Sequence, residues 1–228
     1  LVAKSAATLD IVSNGRLNLG LGAGWFEQEH HSLGFDFKTV LGRLEALEES
    51  LIIIKGMHAG EAVTLEGKHY QVNDAICMPA PVQDGGTPIM IGGTGRKILL
   101  RIVAQYADMW NAPGSATQFA EMVGVIEQHC NKVDRDPAKI EKTVMMPLCY
   151  TEDEATQDFV CDLLVGAYGI SREEARAQSM IGGKDECLEK TREFVDAGCT
   201  HFIFMLIPPY PHDQLQAFIE EVAPAARG

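Results

Sequence analysis

Two short apolar runs of this sequence each end in a cluster of glycines. They are Arg16-Leu-Asn-Leu-Gly-Leu-Gly-Ala-Gly-Trp25 and Pro88-Ile-Met-Ile-Gly-Gly-Thr-Gly95. Glycines at the end of a strand let backbone amides approach a ligand closely, and a following helix start favours an anion. Arg96 and Lys97 place positive charge after the second cluster. The two turns therefore predict a site for a phosphate or for the edge of a flat cofactor.

Neither glycine cluster fits a nucleotide-binding fingerprint. The run Gly20-Leu-Gly-Ala-Gly24 has its third glycine misplaced for G-x-G-x-x-G, and Trp25 follows where a helix would begin. The run Gly92-Gly-Thr-Gly-Arg-Lys97 lacks the GK[ST] ending of a P-loop, although Thr94 is a candidate helix cap. Dinucleotide binding in a Rossmann fold and ATP or GTP hydrolysis are therefore disfavoured. A tight turn without any ligand is the simpler alternative for each cluster.

The remaining reactive side chains do not form a known catalytic or metal-binding pattern. His30 and His31 follow the first strand, where a ligand contact is plausible. No spacing of histidines, cysteines and carboxylates matches a metal site, and no G-x-S-x-G elbow indicates acyl transfer. We therefore predict no metal and assign no catalytic residue. His201, at the start of the last strand, is interpreted as a structural residue. The other histidines are interpreted as surface or turn residues: His58, His69, His129 and His212.

The tryptophans and one acidic cluster allow simple interpretations. Trp25 and Trp110 each lie at a strand end, where a large aromatic ring either walls a flat ligand or packs in the core. Glu45, Glu48 and Glu49 alternate with leucines and are interpreted as the solvent face of a helix.

Hydrophobic periodicity orders these motifs along alternating strands and helices. An opening helix carries Val2, Ala6 and Leu9 on one face and ends at Asn14 and Gly15. A long helix over 40–57 and a β-hairpin near 62–72 follow. Strands are predicted at 16–21, 87–91, 107–111, 143–150 and 200–207. Helices are predicted at 96–106, 117–133, 152–168, 172–180, 185–197 and 214–223.

This order predicts an α/β fold built from βα units with parallel strands. A complete (β/α)₈ barrel takes about 250 residues, and only five barrel-type strands are found in these 228 residues. The chain also opens inside a helical pattern. We therefore expect one domain over 1–228, an incomplete TIM barrel that lacks its first three βα units.

Composition narrows the possible partners and the compartment. The 19 basic and 32 acidic residues give a net charge of −13, which disfavours binding to nucleic acid or to an anionic membrane. The six cysteines are scattered, which indicates reduced thiols and no disulfide framework. No apolar run approaches the roughly 20 residues that span a bilayer. A cytoplasmic location is expected.

Several segments, taken in order, resemble the luciferase-like family of TIM-barrel oxidoreductases, which use FMN or coenzyme F420. No single segment is specific, but their order and spacing extend over nearly the whole chain. They are Ala3-Lys-Ser-Ala-Ala-Thr-Leu-Asp10, Ser13-Asn-Gly-Arg-Leu17, Gly20-Leu-Gly-Ala-Gly-Trp25, Glu66-Gly-Lys-His-Tyr70, Pro81-Val-Gln83, Pro88-Ile-Met-Ile-Gly-Gly-Thr-Gly95, Tyr106-Ala-Asp-Met-Trp-Asn111 and Asp196-Ala-Gly-Cys-Thr-His-Phe202.

The resemblance implies a barrel with strands four to eight present and strands one to three missing. It also implies which residues meet the cofactor. Ala23, Gly24 and Trp25 would lie against it, and Asn111 would contact it from the same rim. The backbone amides of Gly92, Gly93, Thr94 and Gly95 would approach its phosphate or side chain. The acid/base groups of the family come largely from the early strands, so this fragment alone is expected to be inactive.

The activity implied is hydride transfer between F420 and a small organic substrate. F420 is the first choice, because both glycine-rich segments most resemble the F420 branch. An FMN-dependent monooxygenase that uses reduced flavin and oxygen is the alternative, and a non-catalytic flavin-binding barrel is an alternative of another class. A homodimer is expected for the full-length protein. The substrate and the direction of the reaction stay open.

Overall fold

The computed structural model describes residues 1–207 and 210–226. The chain divides into two compact units, Leu1–Trp110 and Asn111–Gly228. The expectation of one domain over 1–228 stays a prediction.

The first unit contains a parallel strand pair, helices and a separate hairpin. Strands β1 and β4 pair in parallel, with Leu19 beside Ile89 and Leu21 beside Ile91. The elements are α1 Val2–Ser13, β1 Leu19–Leu21, α2 Glu27–Ser32, α3 Val40–His58, β2 Val63–Glu66, β3 Gln71–Ala75, β4 Ile89–Gly92, α4 Leu99–Tyr106 and the start of β5 Met109–Ala112.

Helix α3 carries much of the core of this unit. The Thr39 side chain caps it by accepting a hydrogen bond from the Gly42 backbone N–H. A row of side chains at helical spacing is buried along its length: Leu44, Leu47, Leu51 and Ile54. The prediction of a long helix is therefore confirmed. These apolar residues recur with the helical period, which is why the sequence pattern identified it.

Helix α1 buries only Ala6 of the three apolar residues that were predicted to share a face. Val2 and Leu9 are exposed, whereas Ala3, Ala6, Ala7 and Asp10 are buried. Alanines permit close approach of neighbouring chain, so this helix presents its small side chains to the interior. The predicted helix end is confirmed, since Asn14 is left-handed with φ 55°.

The Asp10 carboxylate joins α1 to the loop before β4. It accepts hydrogen bonds from the Val82 backbone N–H at 2.8 Å and from Gln83 Nε2 at 2.7 Å. Burial alone would raise the pKa of Asp10, but these hydrogen bonds outweigh it and the pKa lies below its usual value.

His58 is also buried, contrary to its interpretation as a surface or turn residue. Its Nε2 lies 2.9 Å from the Ala3 carbonyl oxygen, which can only accept, so Nε2 carries the proton. The Thr87 hydroxyl then donates to Nδ1 at 3.1 Å. His58 therefore links α3 to α1 and to the start of the β4 segment.

Glutamates of the acidic cluster on α3, Glu45 and Glu49, hold the hairpin against this helix. The prediction that this cluster is simply the solvent face of the helix is therefore wrong. The strands β2 and β3 pair antiparallel and the second reaches Ala75. The Glu49 carboxylate accepts three backbone N–H groups at 2.8–2.9 Å, from Lys68, His69 and Tyr70. A Cβ at Gly67 would collide with Glu49, which explains the glycine at this turn.

His69 lies inside this cluster and is not a surface residue. Its side chain is 8% exposed, and Nε2 lies 3.0 Å from Glu45 Oε2. The Lys38 ammonium donates to Nδ1 at 3.0 Å. Because an ammonium group can only donate, Nδ1 is the acceptor. Nε2 therefore carries the ring proton and donates a hydrogen bond to the Glu45 carboxylate.

The second unit is organised around the long strand β6. It pairs in parallel with β7 through Leu148 and Met180, and with β8 through Thr143 and His201. The elements are the end of β5, α5 Ala116–Lys132, a 3₁₀ turn Pro137–Lys139, β6 Glu141–Tyr150, α6 Glu154–Tyr168, α7 Arg172–Ala177, β7 Met180–Gly182, α8 Lys184–Asp196, β8 His201–Leu206, α9 His212–Glu221 and α10 Ala223–Ala226.

One predicted helix of this unit is wrong at its end. Helix 172–180 stops at Ala177, and Met180 begins β7. Met180 is fully buried beside β6, and three residues are too few for a period to identify a strand from sequence. The last predicted strand stops at Leu206, and Pro208 and Pro209 after it lie outside the described residues.

All six cysteines are free and buried. Burial raises the pKa of the Cys187 thiol to about 12 and also raises the pKa of Cys149 and Cys161. Thiols with raised pKa values carry little thiolate near neutral pH and are poor nucleophiles.

We expect Asp10→Asn to lower the free energy of unfolding by about 1–3 kcal/mol, because the amide cannot accept all the hydrogen bonds that the carboxylate receives. Since the folded pKa of Asp10 is depressed, its contribution is present above its unfolded pKa and is lost as pH falls from about 4. Urea unfolding at pH 7 and pH 3 measures both. The exposed Asp84→Asn on the same loop is the control, and an equal loss in both variants would contradict the assignment.

We expect Glu49→Gln to loosen the hairpin without unfolding the unit. The amide presents one acceptor oxygen where the carboxylate presents two, so amide hydrogen exchange at residues 68–70 should accelerate by about tenfold or more. Hydrogen exchange read by mass spectrometry measures this change. Glu66→Gln, on the exposed face of β2, is the matched control. Unchanged exchange in Glu49→Gln would refute the role of this carboxylate.

Candidate functional site

The register of β1 and β4 places the two glycine-rich turns side by side. We call residues 22–25 the first turn and residues 92–95 the second turn. Gly20 lies beside Met90 and Leu21 beside Ile91, so both strands end at the same level. A Cβ on Gly22 would lie 3.7 Å from the Gly92 carbonyl oxygen. Both turns therefore leave the carboxyl ends of adjacent parallel strands, where α/β proteins bind ligands.

The second turn depends on glycine geometry and on a buried tryptophan. Gly93 has φ 134°, and a Cβ there would lie 2.5 Å from Leu99 Cδ2. Trp110 is fully buried, and its Nε1–H donates to the Gly93 carbonyl at 2.9 Å. Trp110 therefore supports this turn from the core, and it does not wall an exposed ligand ring.

The helix after the second turn begins later than predicted. Helix α4 starts at Leu99 with Ile98 as N-cap, so the start at Arg96 and the cap at Thr94 are both wrong. The Gly95 carbonyl accepts the Leu100 N–H at 3.0 Å, which closes a turn before the helix. Thr94, Gly95, Arg96 and Lys97 are exposed. The Ile98 side chain cannot accept a hydrogen bond, so it does not cap the backbone N–H groups in the first turn of α4.

The first turn presents an aromatic pair. Gly24 has φ 73°, and a Cβ there would lie 2.9 Å from His30 Cε1. Trp25 is 80% exposed and stacks on Phe26 with ring centroids 5.4 Å apart. Ala23, before them, is half-buried. The turn thus offers backbone and a flat aromatic face on the rim.

Two side chains hold this turn, and the sequence had singled out only one of them, His30. Arg43 Nε donates to the Gly24 carbonyl oxygen at 3.2 Å. His30 Nδ1 lies 3.0 Å from the Phe26 carbonyl oxygen and therefore donates to it. No local sequence signal links Arg43 to Gly24, because the two residues are nineteen positions apart.

A cavity of about 1070 Å³ opens beside the first turn. Ala23 and Leu21 line it, which connects it to the rim of β1. Its wall combines apolar side chains of α3 and the hairpin with charged residues of both signs: Lys4, Lys38, Arg43, Asp36 and Asp74. A space of this size accommodates a small organic molecule.

Asn111 belongs to the second unit. Its Nδ2 donates to the Thr143 hydroxyl at 2.7 Å, and Thr143 is fully buried. The amide is therefore fixed by β6. Its predicted contact with the cofactor stays a prediction.

Among residues 1–207 and 210–226, no three or more histidine, cysteine and acidic side chains are grouped so that they could hold a metal ion. None of the helices in these described residues is both long enough and apolar enough to cross a membrane.

Known proteins of two kinds are similar to this chain. The F420-dependent glucose-6-phosphate dehydrogenase 1 of Rhodococcus jostii is 24% identical, and the match covers 100% of this chain and 75% of that protein. The 4-hydroxyprotoasukamycin monooxygenase of Streptomyces nodosus subsp. asukaensis is 26% identical over 86% of this chain and 60% of its own length.

A solved structure confirms the predicted fold class. The coenzyme F420-dependent tetrahydromethanopterin reductase from Methanopyrus kandleri superposes with a TM-score of 0.81 at 22% identity, covering 98% of this chain and 78% of that one. The chain therefore has the α/β fold with parallel strands of the luciferase-like barrels, with five barrel strands identified from its sequence. The family model for luciferase-like monooxygenases matches residues 1–168. The chain belongs to the luciferase-like monooxygenase family.

Proposed function

We propose that this protein is an oxidoreductase that transfers a hydride between coenzyme F420 and a small organic substrate. The observation that carries the proposal is the pair of glycine-rich turns at the same level on adjacent parallel strands. F420-dependent relatives that match along the whole chain support the choice of cofactor.

The residues of both turns fit a cofactor with a flat ring and a phosphate. Ala23, Gly24 and Trp25 would lie against the ring system, since Trp25 offers an exposed aromatic face. Gly92, Gly93, Thr94 and Gly95 would hold the phosphate through backbone amides, beside the exposed cations Arg96 and Lys97. Asn111 is proposed as a further contact.

When bound, F420 supplies a ring carbon that accepts or donates a hydride. The described residues bind and orient this ring, and the exposed Trp25–Phe26 pair would exclude water from one of its sides. The cavity beside Ala23 would admit the substrate. We assign none of these residues a proton transfer.

An FMN-dependent monooxygenase is the second candidate. It is favoured by the match to a luciferase-like monooxygenase family model and by the similarity to 4-hydroxyprotoasukamycin monooxygenase. Both cofactors carry a flat ring and a phosphate, so the same turns would serve either. A homodimer, which the family resemblance implies, and a cytoplasmic location, which the composition favours, remain proposals.

We expect Thr94→Asp to weaken F420 binding by about tenfold or more. The substitution places a negative charge beside the proposed phosphate, and Thr94 is exposed, so it adds no buried strain. The isosteric, uncharged Thr94→Asn is the control and should bind nearly as the native protein does. Dissociation constants from fluorescence titration with F420, and separately with FMN, measure the effect.

The titrations also separate the two candidates. Tight binding of F420 and weak binding of FMN supports the first, and the reverse supports the monooxygenase. Equal affinity of Thr94→Asp and Thr94→Asn for a cofactor that the native protein binds would remove the second turn from the site. A native protein that binds neither cofactor would contradict the proposed function.

A further inference from the structure

We propose that Arg43 and His30 are positioning residues that hold the first turn so that Trp25 faces the cofactor. The inference rests on the proposed function, because it takes the first turn as the ring-binding element. It concerns two side chains that would not themselves touch the reacting atoms.

Arg43 links the first turn to the start of helix α3. Its Nε donates to the Gly24 carbonyl at 3.2 Å, and its Nη1 donates to the Lys38 carbonyl. The guanidinium carbon also lies 3.9 Å from the centroid of the Phe37 ring, a cation–π contact. These contacts use separate parts of one planar group, which a lysine side chain cannot reproduce.

His30 holds the other side of the same turn. Its Nδ1–H donates to the Phe26 carbonyl, and its ring edge lies where any side chain at Gly24 would project. The His30 ring also meets Phe37 edge to face, with centroids 4.9 Å apart. Phe37 therefore joins Arg43 to His30, and the two donors fix the carbonyls on both sides of Trp25.

This arrangement explains how Trp25 can be largely exposed and still be fixed in direction. The backbone before it is held by Arg43, the backbone after it by His30, and its ring stacks on Phe26. A flat ligand gains affinity when the surface that receives it is already ordered. Loss of either donor should therefore free the Trp25 side chain and weaken ligand binding.

The fluorescence anisotropy of Trp25 in the cofactor-free protein tests the positioning directly. The chain has two tryptophans, so the emission of Trp25 must be separated from that of the buried Trp110. Subtracting the emission of a Trp25→Phe protein, which contains only Trp110, leaves the signal of Trp25. We expect Arg43→Met and His30→Leu to lower the anisotropy of Trp25, and His30→Asn, whose amide nitrogen takes the place of Nδ1 as a donor, to restore it. Arg43→Lys should give an intermediate value. The exposed Arg192→Met on α8 is the control.

Circular dichroism establishes that each variant is folded before the comparison. If Arg43→Met does not fold, the anisotropies of Arg43→Lys and of the two His30 variants still test the proposal. Native-like Trp25 anisotropy in the folded Arg43 and His30 variants would overturn the proposal. So would equal anisotropy in His30→Leu and His30→Asn.

Titration with F420 and with FMN then tests whether the positioning of Trp25 affects cofactor binding. We expect Arg43→Met to bind about tenfold more weakly than the native protein, which corresponds to one charge-assisted hydrogen bond. A mobile Trp25 with unchanged affinity would overturn the role in binding. If the native protein binds neither cofactor, the proposed function fails, while the anisotropy still decides whether Arg43 and His30 hold the turn.

Discussion

The parallel register of β1 with β4 is the constraint on which the candidate site depends. Leu21 lies beside Ile91, so Gly22 and Gly92 leave their strands together. A shift of one residue would point these glycines to opposite faces, because side chains alternate along a strand. The small residues at the strand ends then let two backbones approach each other and a ligand. Neither turn alone would form such a surface.

Both turns are supported by hydrogen bonds that side chains donate to their backbone carbonyls. The buried Trp110 holds Gly93, and Arg43 holds Gly24. In each case a donor of fixed geometry fixes a carbonyl of a turn that requires glycine. Trp25 of the first turn and Thr94 of the second turn stay exposed.

Local patterns were sufficient to predict most elements. The leucine period of α3, the Asn14–Gly15 helix end and the glycine-rich strand ends are all signals within a few residues, and the structure contains them.

The errors have tertiary causes. His69 and Glu45 were interpreted as surface residues, because they contact each other across 24 positions of the chain. The buried face of α1 was misassigned because close packing selects its alanines over Val2 and Leu9. Arg43 was missed for the same reason, since its contact with Gly24 spans nineteen positions.

The proposal that two adjacent turns receive one cofactor is tested most directly by amide chemical shifts. In a ¹⁵N-labelled sample titrated with F420, the backbone amides of Gly92–Gly95 and of Ala23–Trp25 should shift most and should saturate together with one dissociation constant. The Trp25 indole N–H should shift with them, and that of the buried Trp110 should change less. Saturable binding that leaves both turns unshifted, or that shifts only one of them, would contradict the proposed site.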